Sequence, residues 1–239
     1  MLLVQHWMTE EVITLDENES VIKAIQILKE FKIRRIPITK NGKLIGIITI
    51  SDIREATPSK ITAFDIHEFY YLLSEIKVKD IMTKDPIVVY PDDTVEYAAV
   101  LMLENKISGL PVINKDGFVV GIITQTDIFK IFVNITGVYQ SPYQVSLIVN
   151  SYLEIKNVLE IFEKLNIEIY SLLSWKDELC YSDACKRRVF IRFKEPVKDV
   201  LDKLHQSLNS KFKIITFRKD NIERLPRKLQ KLEEEISIF

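Results

Sequence analysis

LIGIITISDI at residues 44–53 and VVGIITQTDI at residues 119–128 are two versions of one pattern, an apolar run holding a glycine and closed by T-x-x-D. The run reads as a strand and its closing residues as the entry to a helix. The likeness extends outward from there. VQHWMT at 4–9 falls on VKDIMT at 78–83, Val21 and Ala24 fall on Val95 and Ala98, and IRRIP at 33–37 falls on ISGLP at 107–111. One residue is inserted in the turn before the second run. A repeat of this kind marks one supersecondary unit present twice, so the first half of the chain is two copies of one module.

Each copy has the same order: strand, helix, strand, strand, helix. An extended stretch, VITL or IVVY, leads into an amphipathic helix predicted over 20–31 and 94–105, with Ser20 and Thr94 as N-caps. A short strand (IPIT or LPVI), a turn with Asn41-Gly42 or Asp116-Gly117, a second strand and a further helix follow. Gly42 and Gly117 serve the turns, Gly46 and Gly121 hold paired strand positions, and Gly109 lies in a loop before a strand. Of the chain's six glycines that leaves one, Gly137, too few for a phosphate-cradling G-x-G-x-x-G or Walker loop.

On these residues, the doubled x-G-h-h-T-x-x-D signature above all, residues 1–136 resemble a tandem pair of CBS domains, a Bateman module. The resemblance implies an α/β (α+β) fold of two βαββα repeats related by a pseudo-two-fold, with two clefts where adenosine-containing ligands bind. The expected ligand is AMP, ADP or ATP, with S-adenosylmethionine or NAD as further candidates, and no obligatory cofactor.

Thr49, Ser51 and Asp52 in the first copy, and Thr124, Thr126 and Asp127 in the second, stand where strand gives way to helix. An ionised aspartate there can accept two hydrogen bonds from a vicinal diol such as ribose, while hydroxyls and free helix amides can serve phosphate oxygens. The plainer alternative is that both aspartates cap their helices, and the two roles are compatible. Arg34 and Arg35 precede Ile36-Pro37, where extended backbone before a proline offers groups to an adenine edge and the guanidiniums offer forked donors to phosphate. In the second copy Ser108 and Gly109 precede Leu110-Pro111, so the clefts are unequal and one is expected to prefer phosphorylated ligands. The competing reading makes both arginines solvated surface charges. Val12, Ile13, Ile87 and Val88 either wall a base or belong to the core.

Between the copies, 61–77 reads as a helical linker after Thr57-Pro58-Ser59. Its apolar stretch (Phe64, Phe69, Tyr70, Leu73) is expected to pack on the disc that such a pair of repeats forms or on a partner subunit. The boundaries that follow are CBS domains at 1–60 and 78–137, a further domain at 140–220, and an amphipathic helix at 221–239 carrying Leu225, Leu229, Leu232 and Ile236.

The further domain combines QVSLIVN (144–150), a helix over 152–165, IEIYSLLSW (167–175), RRVFIRF (187–193), a helix over 197–208 after Pro196, and FKIITF (212–217). This βαββαβ order is ferredoxin-like. It resembles an ACT domain, a module that often binds amino acids and pairs side by side. The turn after its first strand is Asn150-Ser151-Tyr152-Leu153, without the glycine that a backbone-bound ligand needs, so dimerisation or partner docking is the expected role. The order CBS, CBS, ACT-like, with IFKIFVNITG at 128–137 and ATPS at 56–59, resembles the acetoin-utilisation AcuB family. That implies a regulator connected with acetoin or acetyl-unit metabolism.

Composition sets outer bounds. The 239 residues are 47% hydrophobic and 28% charged, and 33 basic against 34 acidic side chains leave a net charge of −1. Such a chain folds, and it has no overall field for nucleic acid or anionic lipid. Lys186-Arg187-Arg188 is too small a cluster for a nucleic-acid footprint. The N-terminus does not read as a signal peptide and no stretch has the length of a membrane span, so a cytoplasmic location is expected. Cys180 and Cys185 supply neither a disulfide scaffold nor a closed zinc site, and His6, His67 and His205 share no metal spacing. With no nucleophile motif, the expectation is no catalytic residue, no metal and no enzyme. The expected role is a metabolite sensor, homodimeric through its CBS and ACT-like domains and acting on a regulated protein. The alternative is a ligand-free oligomerisation scaffold.

Overall fold

Two hairpins built from the paired apolar runs organise the first part of the molecule. A computed structural model describes residues 2–56, 73–176 and 186–221. Thr57-Pro58-Ser59, the aromatic segment up to residue 72, both cysteines and the helix expected at the C-terminal end, from residue 222 on, lie outside them. The elements up to residue 135 are β1 (Leu15–Asp16), α1 (Val21–Glu30), β2 (Arg35–Lys40), β3 (Lys43–Thr49), α2 (Ile50–Ala56), α3 (Val78–Ile81), β4 (Thr83–Lys84), α4 (Val95–Glu104), β5 (Gly109–Ile113), β6 (Val119–Thr124) and α5 (Gln125–Ile135). The chain divides into two units, Met1–Phe129 and Lys130–Phe239.

In the first unit β2 pairs antiparallel with β3, and β5 with β6. Asn41 and Gly42 both have positive φ, 51° and 79°, as a two-residue hairpin turn of matching twist requires. The residue inserted in the second copy changes its turn. There the Asn114 carboxamide oxygen accepts from the amides of Asp116 at 3.0 Å and Phe118 at 2.9 Å. Helices α1 and α4 start where expected. Ser20 Oγ accepts from Lys23 N at 3.3 Å and Thr94 Oγ1 from Tyr97 N at 3.1 Å. Val21, Ala24 and Leu28 of α1 are buried, as are the matching Val95, Ala98 and Met102 of α4. In the first copy they close on Ile36, Ile38 and Ile48, which are wholly enclosed.

The VITL and IVVY stretches contribute less sheet than their composition suggests. Pairing is limited to Leu15 and Asp16 in the first copy and to one bridge, Val89 to Val112, in the second. An aspartate turns the chain out of the ladder each time: Asp16 Oδ1 accepts from Asn18 N at 3.0 Å, and Asp93 Oδ2 from Tyr90 N at 2.7 Å.

The opening segment of each copy sits on the sheet of the other. Thr9 exchanges backbone hydrogen bonds with Ile122 of β6 (2.9 and 3.0 Å), while Thr83 and Lys84 pair with Ile47 and Gly46 of β3. Val4 N donates to Asp93 O and Val78 N to Glu19 O, both at 2.9 Å. This exchange explains the paired strand glycines. A Cβ on Gly46 would overlap Met82 Sδ, and one on Gly121 would overlap Met8 Sδ, so each glycine seats the methionine of an M-T pair.

The second unit continues with β7 (Tyr143–Val149), α6 (Glu154–Lys164), β8 (Ile169–Lys176), β9 (Arg187–Phe193), α7 (Lys198–Asn209) and β10 (Lys213–Lys219). The strands form an antiparallel sheet in the order β10-β7-β9-β8. Val145, Leu147, Val149, Val189, Ile191 and Phe193 on the sheet bury against Val158, Ile161 and Phe162 of α6 and Leu204 and Leu208 of α7. The Phe162 and Phe193 rings meet edge to face at 5.4 Å. Arg192 is 4% exposed. It donates to Thr136 O at 3.0 Å, Ser141 O at 2.7 Å and Asp220 Oδ2 at 3.2 Å, pinning the segment between α5 and β7. Among the described residues no helix is long and apolar enough to cross a membrane.

Candidate functional site

The two T-x-x-D corners have the same internal construction. In the first, Asp52 Oδ2 accepts from both the amide and the hydroxyl of Thr49 at 2.6 Å. In the second, Asp127 Oδ2 accepts from Thr124 N at 3.0 Å and Thr124 Oγ1 at 2.7 Å. The capping reading therefore holds for one oxygen of each carboxylate. It also holds each side chain in one orientation, which is what a ligand-accepting second oxygen needs. Ser51 and Thr126 are exposed one residue before each aspartate.

The exchanged segments bring a residue that the sequence reading did not include. Thr83 Oγ1 donates to Asp52 Oδ1 at 3.2 Å. The signal was present in the repeated M-T pair, which aligns the copies but does not say that each pair docks on the other copy's sheet.

Arg34 and Arg35 part company. Arg34 is exposed, as the solvated reading has it, whereas Arg35 is 9% exposed, which corrects that reading for this residue. Arg35 Nη2 donates to Ser108 Oγ, and a Cβ on Gly109 would overlap Nη1 and lie 2.7 Å from Cζ. Ser108 and Gly109 stand where the first copy has its arginines, yet a guanidinium lies beside them: the missing Gly109 side chain makes room for Arg35 from the other copy. Burial pulls the Arg35 pKa below its usual value, the neighbouring Arg34 adds to this, and Asp127 opposes both.

Ile36 and Leu110 are wholly enclosed, and Pro37 and Pro111 are buried. The Pro111 carbonyl accepts from Val89 N at 3.1 Å, so that group is taken up by the sheet. Val12, Ile13 and Val88 are half-buried and Ile87 is exposed, which leaves all four outside the core. Among the described residues there is no cluster of three or more metal-ligating side chains.

Doubled Asp corners on hairpins that exchange their leading segments define a tandem CBS pair. The family model for the CBS domain matches residues 4–59 and 78–134, and the chain belongs to the CBS-domain family. It is 33% identical to an uncharacterised protein of Methanocaldococcus jannaschii, a match that covers 54% of this chain and 90% of that one. It also matches an inosine-5′-monophosphate dehydrogenase of Korarchaeum cryptofilum at 32% identity, but spans only 23% of that enzyme. Among solved structures, the CBS domain pair of protein MJ0100 in complex with 5′-methylthioadenosine and S-adenosyl-L-methionine is 33% identical, covers 54% of this chain and 94% of that one, and has a TM-score of 0.45. A structure described as an acetoin utilization protein (AcuB) from Vibrio cholerae is 29% identical, covers 59% and 96%, and has a TM-score of 0.49.

Proposed function

We propose that the chain is a cytoplasmic, non-enzymatic regulator whose CBS pair, over 1–60 and 78–137, binds an adenine nucleotide (AMP, ADP or ATP) or a related adenosyl ligand such as S-adenosylmethionine or NAD. The observation that carries this is the carboxylate of Asp52. Thr49 holds its Oδ2 with two donors, while its Oδ1 meets only the hydroxyl of Thr83 among the hydrogen bonds described, at a partly exposed corner. A ribose diol can replace one hydroxyl with two at little cost. Ser51 adjoins Asp52, and the exposed Arg34 precedes Arg35, which pairs with Thr49 of that corner, so both are candidates to serve a phosphate. Half-buried Val12, Ile13 and Val88 offer apolar surface to a base.

Within the second unit, residues 140–220 we read as a ferredoxin-like, ACT-type domain, on the strength of their strand-helix-strand-strand-helix-strand order and the β10-β7-β9-β8 sheet. Its turn after β7 is filled from within. Asn150 N donates to the Glu154 carboxylate at 2.8 Å, which occupies an amide that a bound amino acid would need. Docking to a second copy or to a regulated protein is the role we assign it, with acetoin or acetyl-unit metabolism as the setting that the AcuB likeness suggests. A homodimer, or the scaffold role in place of the sensor role, is favoured by one feature: Tyr97, Val100 and Leu103 of α4 are 51%, 53% and 74% exposed.

Melting curves with millimolar AMP, ADP, ATP, NAD and S-adenosylmethionine test the sensor reading. A ligand at a hundred times its dissociation constant stabilises the folded state by about 2.7 kcal/mol, so at least one should raise the melting temperature by several degrees. Indifference to all five supports the scaffold.

A further inference from the structure

Arg35 opens β2 at the position that Gly109 holds in β5 of the other copy. Its guanidinium reaches that matching position, hydrogen-bonds Ser108 Oγ and lies over Gly109 in space that any side chain there would fill. Gly109 is paired in the sheet with Thr124, whose amide and hydroxyl fix Asp127. Guanidinium, hydroxyl and glycine thus lie one strand pairing away from the threonine that fixes the Asp127 carboxylate. The Asp52 corner has different contents, because the residue matching Arg35 is a glycine that can send nothing across. Its carboxylate meets the hydroxyl of Thr83 and is partly exposed, whereas Asp127 is 8% exposed.

We propose that Arg35 is an internal occupant of the Asp127 corner, which leaves the Asp52 corner as the one open to a nucleoside diol. The guanidinium takes up Ser108 Oγ and the space over Gly109 beside that corner, and it cannot leave cheaply, since a buried charge stripped of its surroundings is costly. A neutral diol offers no anion in exchange. The choice of Asp52 rests on the nucleotide reading; the occupancy of Asp127 does not.

The test has two arms. In the first, adenosine, a diol without phosphate, is titrated calorimetrically into the wild type, Asp52→Ala, Asp127→Ala and Arg35→Gly. The expected result is one equivalent per chain in the wild type and in Asp127→Ala, none in Asp52→Ala, and a second equivalent in Arg35→Gly. Two equivalents in the wild type, or one that is lost in Asp127→Ala and kept in Asp52→Ala, would overturn the proposal. The second arm needs no ligand: urea unfolding of Arg35→Gln, Asp127→Asn and the double variant, read at Trp7 in a Trp175→Phe background. Paired side chains predict that the double variant loses at least about tenfold less in the folding constant than the product of the single losses. Independent losses would overturn the occupancy. If adenosine binds no variant, the nucleotide reading falls and the unfolding cycle alone decides on Arg35.

Discussion

Replacing Gly46 by alanine tests how the two copies are held together. The new methyl would overlap Met82 Sδ, stand 2.9 Å from Met82 Cγ and reach 3.0 Å from the backbone oxygen of Thr83. A flexible thioether can swing aside, but the backbone of Thr83 is tied into β4, whose pairing with β3 would have to loosen. Overpacking of this kind costs about 1–3 kcal/mol, and alanine in place of a strand glycine returns about 0.5–1 kcal/mol through the unfolded chain. A net loss of about 1–2 kcal/mol is expected, which lowers the melting temperature of a unit this size by roughly 5 °C. Gly121→Ala is the internal control. Its three nearest atoms all belong to the Met8 side chain, so its loss should be the smaller. Trp7 fluorescence in a Trp175→Phe background follows the first unit alone, which matters because two units need not unfold together. Pairing Gly46→Ala with Met82→Ala should recover part of the loss. A Gly46→Ala protein as stable as the wild type, or one whose loss is unchanged in the Met82→Ala background, would refute the exchanged-segment packing as the reason for the glycine.

Arg192→Met removes three donor contacts from a site that is 4% exposed and should cost about 3–5 kcal/mol, seen as early unfolding of the second unit by Trp175 fluorescence. Ser20→Ala and Thr94→Ala should each cost about 1 kcal/mol in urea unfolding, with Thr94→Ala at least as costly because its cap bond is shorter, 3.1 against 3.3 Å. The hydrogen bond from Lys219, helped by Tyr143, holds the Glu195 carboxyl below the usual carboxylate range. A group with a lowered folded pKa contributes stability above its unfolded pKa and loses it as pH falls through the folded value. NMR titration should therefore give Glu195 a midpoint below that of ordinary glutamates, and Lys219→Met should return it toward them.

Features governed by neighbours a few residues apart were legible in the sequence. The caps at Ser20 and Thr94, the Asn41-Gly42 turn and the T-x-x-D corners each depend on hydrogen bonds spanning two or three residues, and each forms as read. Features that depend on which copy touches which were not. An internal repeat states which residues correspond, and the exchange of VQHWMT and VKDIMT is a statement about contact. Thr83 was missed for that reason. Arg35 was read against the general habit of arginines to stay in water, while the clue lay in the alignment itself: the residue matching Arg35 is a glycine, and a glycine is what a buried guanidinium needs opposite it. Arg192 gave no local sign, because what buries it is the connector at Thr136 and Ser141, far away in the chain.

The most direct test of the central claim is calorimetric titration of the wild type with AMP, repeated on Asp52→Ala. A hydrogen bond to a charged group contributes about 1.5–3 kcal/mol, so the account predicts measurable binding to the wild type that weakens at least about tenfold when the Asp52 carboxylate is removed. Binding of equal strength in both proteins, or no heat from AMP or any of the other adenosyl compounds in the wild type, would contradict it.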